Sequence, residues 1–81
     1  MELYVMPWKR DAGVYGEAAG MMCDGRVLDL VVTYREDGTF FWEVVDDNST
    51  NKRIASGTAT SAPEARRAAE AAGRRAFIRA A

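Results

Sequence analysis

Five arginines, Arg66, Arg67, Arg74, Arg75 and Arg79, and an upstream acidic group, Asp29, Glu36, Asp37, Glu43, Asp46 and Asp47, hold most of the reactive capacity of this 81-residue sequence. Guanidinium groups suit bidentate recognition of phosphate or carboxylate. On a helix, Arg67 and Arg74 would stand two turns apart, about 10 Å along the axis, a spacing that can reach separate phosphates. One reading of Arg66, Arg67, Arg74 and Arg75 is therefore a nucleic-acid contact. The plainer one is a solvated helix face whose last arginines complement the negative end of the helix dipole. Paired carboxylates can do acid and base chemistry or hold a cation. Asp46, Asp47, Asn48 and Asn51 offer oxygen ligands in one short stretch, but without the glycine and distal glutamate of a calcium loop. Neither a metal site nor a cofactor is expected.

The chain has no histidine, and so lacks the commonest general base and metal ligand. That argues against an enzyme. Cys23 is the single cysteine, which excludes an internal disulfide and a cysteine-cluster zinc site; beside Met21 and Met22 it reads as a buried thiol. Met1 is followed by Glu2 and no apolar run of signal length, and nothing approaches the roughly 18 apolar residues of a membrane span. The expectation is a cytoplasmic protein with no membrane partner.

Of 39 apolar residues 14 are alanine, leaving 25 side chains large enough to fill a core. One small domain, residues 1–81, is the ceiling. The net charge of −1 conceals halves of −6 (residues 1–50) and +5 (residues 51–81). A strongly basic nucleic-acid protein is excluded by this balance.

Two Asp-Gly pairs, Asp24-Gly25 and Asp37-Gly38, sit between β-forming runs and signal hairpins. Leu28, Leu30, Val32 and Tyr34 alternate with their neighbours, as do Phe40, Trp42 and Val44. A two-residue loop at Asp37-Gly38 would pair Val32 with Glu43 and put a carboxylate in the core. A three-residue loop, Glu36-Asp37-Gly38, pairs Tyr34 with Phe40, Val32 with Trp42 and Leu30 with Val44, and is preferred. Residues 46–51 read as a loop and Lys52 to Thr60 as a weaker strand. Upstream, Leu3 to Trp8, broken by Pro7, suits an edge strand, and Met21 to Cys23 can pair across the first Asp-Gly. Lys9 to Gly20, with three glycines and no clear period, reads as a loop.

The last segment is a helix from about Ala62 to Arg79, with Ser61 as N-cap, proline in the first turn and Glu64 completing a capping box. Ala65, Ala68, Ala69, Ala72, Ala76 and Ala80 share a face that allows close approach to a sheet. Phe77 and Ile78 fall off that face on a straight helix, so the helix either bends at Gly73 or uses these two on a neighbouring edge or partner. The fold class expected is α+β: an antiparallel meander of three or four strands with the alanine-rich helix packed on one face.

The other sheet face then carries Val27, Val31, Phe41 and Val45 bordered by Asp29 and Glu43. An apolar strip with charged borders is characteristic of a protein interface, self-association included. Alternatively the N-terminal residues Leu3, Tyr4, Met6 and Trp8 fold over it. The candidate protein-binding residues are Asp29, Val31, Phe41, Glu43, Val45, Asp46 and Asp47.

Phe41, Trp42 and Val44, then Ile54 to Gly57, then Ser61, Glu64, Ala65 and Ala69 resemble the short β-meander-plus-helix domains of bacterial and phage families. Gly57, Ser61, Ala65, Ala68 and Ala69 are also similar to the C-terminal half of double-stranded RNA-binding domains. There the helix-start lysine pair falls on Ala62 and Pro63, and Arg66 matches a basic position. In size and charge balance the chain is similar to small phage-encoded inhibitors of host defence, anti-CRISPR proteins among them. The resemblance implies a non-enzymatic module that binds a host protein or protein complex. Nucleic-acid binding through the helix arginines is the alternative, and a homodimer is open.

Overall fold

The two Asp-Gly turns organise the sheet. The computed structural model describes residues 2–11, 13, 15–46 and 52–80. Asp24 and Gly25 both take positive φ (50° and 82°), the combination whose twist matches a tight hairpin. They join β3 (Gly16–Cys23) to β4 (Arg26–Tyr34) with Cys23 opposite Arg26. Gly38, at φ 86°, closes the second turn. Its N–H donates to Arg35 O (3.2 Å) and the Arg35 N–H to Thr39 O (3.0 Å), while Asp37 Oδ1 accepts the Thr39 amide at 2.9 Å. This is the three-residue loop, and β5 (Phe40–Asp46) pairs with β4 in the expected register: Tyr34 with Phe40, Val32 with Trp42, Leu30 with Val44. β6 (Lys52–Ala59) follows antiparallel to β5, with Ala55 opposite Val44 and Arg53 opposite Val45, so that Ile54 bulges out of register.

Among the described residues the sheet has six strands, not three or four. The extra pairing comes from residues 9–20, expected as a loop. β1 (Leu3–Val5) and β2 (Lys9–Asp11) lie end to end along the edge of β3 that β4 does not use. Strand β3 does alternate, with Glu17, Ala19, Met21 and Cys23 buried, but its outward positions include Ala18 and Gly20. Small residues on one face and a carboxylate on the other leave a weak hydrophobic signal. Between β1 and β2 the Met6 amide still donates to Gly20 O (2.8 Å), whereas Lys9 is opposite Ala18. Pro7 and Trp8 therefore share the single position facing Ala19. This bulge tolerates the missing proline N–H and resets the alternation, so that Trp8 joins Leu3 and Val5 against the core.

Helix α1 (Ala62–Ala80) starts where Ser61 Oγ accepts the Glu64 amide at 3.3 Å. The Glu64 carboxylate takes the Thr60 hydroxyl (3.4 Å). Ala65 is buried, and Ala69, Ala72 and Phe77 pack into the core with Met21, Leu28, Leu30 and Val44. Phe77 is thus a core residue and is not held out for a partner. Ala65, Ala69, Gly73 and Phe77 form a row spaced by four residues, which drifts about 40° per step around a 3.6-residue helix, so Phe77 stands at the rim of the alanine face and its long side chain reaches the core from there. Ile78, one residue on, is exposed. Gly73 is a seat for a sheet side chain: a Cβ there would lie 2.8 Å from Met21 Sδ and 3.4 Å from Leu30 Cδ2.

Gly73→Leu is therefore expected to lose about 1–3 kcal/mol in urea denaturation, because overpacking outweighs the gain in helix propensity. Adding Met21→Ala should recover part of that loss, a coupling that a double-mutant cycle would read.

Candidate protein interface: the uncovered sheet face

Helix α1 lies on the face carrying Met21, Leu30, Val32 and Val44, and the period of two puts Val27, Asp29, Val31, Thr33, Phe41, Glu43 and Val45 on the other. The N-terminal segment does not fold over them. It joins the sheet edge instead, and its own outward residues, Tyr4 (61% exposed) and Met6, extend the strip beyond Met22. The Met6 side chain crosses Gly20, where an added Cβ would meet its Sδ at 3.2 Å. Among the described residues nothing covers this face.

Its centre is Phe41, opposite Thr33 on one side and Thr58 on the other. Arg35 and Arg53 both lie over the ring, their Cζ atoms 4.8 and 5.4 Å from its centroid. Exposed cation–π contacts of this kind contribute about 0.5–1 kcal/mol each. Arg53 is also held by Glu43, Nε to Oε2 at 2.9 Å. Val31 lies between Ala18 and Glu43, and Val45 between Asp29 and Arg53. Both valines are half-buried by these neighbours.

The acidic group does not form one patch. Asp29 and Glu43 belong to the outer face, but Asp46 pairs with Leu28 in the register and so points to the helix side. There it accepts from Arg26 Nη2 at 2.9 Å, and Arg26 in turn lies 5.7 Å over the Phe77 ring. Asp47 lies outside the described residues. Among the described residues no three metal-ligating side chains converge.

The arginines divide as well. Arg66 grips Glu17 with two hydrogen bonds, Nε to Oε1 at 2.5 Å and Nη2 to Oε2 at 3.0 Å, and the Tyr34 hydroxyl donates to the same carboxylate. Glu17 is only 4% exposed, and Arg10 pairs with it across β2 and β3. Burial alone would push this carboxyl up. The hydrogen bonds from Arg66 and Tyr34, with the charges of Arg66 and Arg10, outweigh burial and hold it below its ordinary value. Bonding to Glu17 and burial raise the Tyr34 phenol. A turn further along α1, Glu70 accepts from the Trp8 indole at 2.8 Å and lies 3.8 Å from Arg74. Arg67 and Arg75 are exposed.

Glu17 was not among the residues singled out from the sequence, and Trp8 entered only as a candidate cover for the outer face. The available signal was a lone carboxylate at an inward position of an alternating strand, and it depended on recognising that strand. No protein-family model, no curated protein and no solved structure matches the chain. No described helix is long and apolar enough to cross a membrane.

The depressed carboxyl of Glu17 sets a sign for pH dependence. Its stabilising contribution is complete above the ordinary value of 4.5 and is lost as pH falls through the folded value. Arg66→Ala should cost about 2–3 kcal/mol at neutral pH, below the usual toll for breaking a buried pair because this guanidinium is 38% exposed. With the Arg66 contacts gone and burial unchanged, Glu17 should titrate higher than in the wild type. The variant should therefore gain stability relative to wild type as pH falls, which urea denaturation from neutral pH to about pH 3 would measure. Equal pH slopes in both proteins would contradict this assignment.

Proposed function

We propose that the chain is a non-enzymatic binding module that docks the outer sheet face, centred on Phe41, Val31 and Val45, onto a host protein or protein complex. The observation that carries this reading is the path of residues 3–11: among the described residues, the segment expected as a cover for the face is committed to the sheet edge instead, leaving Tyr4, Met6 and Met22 open beside it. The composition of the face suits the role. Interface centres favour aromatic residues, Met and Arg and disfavour unpaired carboxylates, and here Glu43 is already paired with Arg53, which leans on Phe41. A partner with an apolar centre can dock without leaving that carboxylate stranded. Its size and balanced charge are those of small accessory inhibitors of phages and mobile elements, for which occupying a partner's surface is itself the activity.

The test starts from affinity purification of the tagged chain from its native cells, followed by titration of the identified partner. Val31→Asp, with a native circular-dichroism spectrum, should weaken binding by about 100-fold or more, since a charge would enter the centre of the contact. Undiminished affinity would remove the face from the function. A salt-sensitive shift of duplex RNA or DNA that vanishes in Arg67→Glu with Arg74→Glu would instead favour nucleic-acid binding through the helix.

A further inference from the structure

We infer that β6 is a self-association edge, and that two copies of this chain join antiparallel through residues 55–59 about a two-fold axis at Gly57. The two edges of the sheet are built differently. The N-terminal edge carries Pro7, a bulge and the charged run Lys9, Arg10 and Asp11, devices that block edge pairing. Among the described residues β6 has β5 as its one neighbour in the strand order. Beyond the bulge at Ile54 it runs as Ala55-Ser56-Gly57-Thr58-Ala59, with no proline and no charge. Alternate residues of such a strand present unpaired N–H and C=O groups outward.

That segment is complementary to itself. A two-fold at Gly57 sets Ala55 against Ala59 on the helix side and Ser56 against Thr58 on the outer side, small neutral pairs at every position. Lys52 stands at one end of the strand, beside Arg53, which Glu43 already holds, and Glu64 follows the other end just past the Ser61 cap. Antiparallel pairing directs the basic end of each copy toward the acidic end of its partner, twice by symmetry.

Gly57 adds a second argument. The Trp42 indole lies across it, with ring atoms 2.7–2.9 Å from where a Cβ would stand, and that ring is incompletely buried. The axis at Gly57 would bring the two indoles to the same side of the joined sheet, beside the seam, where each shields the other. An unrelated extended peptide would satisfy the hydrogen bonds but would supply neither the matched charges nor the second indole.

The test is sedimentation equilibrium of the full chain. Wild type should be dimeric. Ser56→Lys with Thr58→Lys should be monomeric, as should Ser56→Glu with Thr58→Glu, because residues 56 and 58 of the two copies face each other. An equimolar mixture of the lysine and glutamate variants should restore the dimer. Amide exchange in wild type should also show protection of the outward Ser56 and Thr58 amides that rises with protein concentration, a readout that requires no variant to fold. A wild type that stays monomeric at millimolar concentration would overturn the inference. Lysine variants that still dimerise, or a mixture that does not, would overturn this edge and register.

Discussion

One narrow helix must close one face of a wide sheet, and most of the structure follows from that mismatch. The sheet is five strands across, which at about 4.8 Å per strand spaces its outer axes by roughly 19 Å, whereas a helix is about 10 Å wide. Alanine and Gly73 on the buried side let α1 come close, so that Met21 and Leu30 rise to meet it. Close approach leaves the flanks thin. Two tryptophans fill them: Trp8, turned inward by the bulge at Pro7, on the β3 side, and Trp42, lying over Gly57, on the β6 side. Each depends on a backbone feature beside it.

The charge halves of −6 and +5 are in part a folding device. Glu17 and Glu43 of the first half take Arg66 and Arg53 of the second. The Glu17 pair fixes the start of the helix over the outer end of β3, and Glu70 accepts Trp8 one turn later on the same flank. Arg26 does similar work at the far end, bonded to Asp46 and stacked on Phe77. Charges that read in sequence as candidate contacts for a partner are therefore partly internal. Exposed helix arginines such as Arg67 and Arg75 remain at the surface.

Local rules made the centre of the fold legible. The positive φ of Gly38 and the penalty of placing Glu43 in the core were enough to specify the β4–β5 register, and Ser61 marked the start of the helix within one residue. Residues 3–20 were less legible because their pairing is long-range and their side chains are small or polar. Nothing within a few residues of Glu17 indicates that an arginine 49 positions away will neutralise it. The sequence leaves the position of Phe77 open for a physical reason: helix angles place its Cα at the rim of the alanine face, and only the packed structure shows that so long a side chain reaches the core from there. The outer face was legible as a strip, but whether residues 3–8 would cover it could be decided only by the strand pairing.

The uncovered face and the open edge bear on each other through symmetry. A two-fold perpendicular to the sheet keeps both helices on one side and both outer faces on the other. Joining two β6 strands would therefore lay two Phe41 strips side by side on one continuous surface. Phe41 lies on β5, separated from the seam by Thr58 of β6, so its approach to a partner is not obstructed by the second copy. A dimer of this kind would present its strip twice in a fixed orientation, and a partner with matching repeated sites would gain avidity with no new contact. Pairing about an axis in the sheet plane would instead turn one outer face toward each side and lose that gain. The antiparallel register at Gly57 is thus the arrangement in which the edge supports the face.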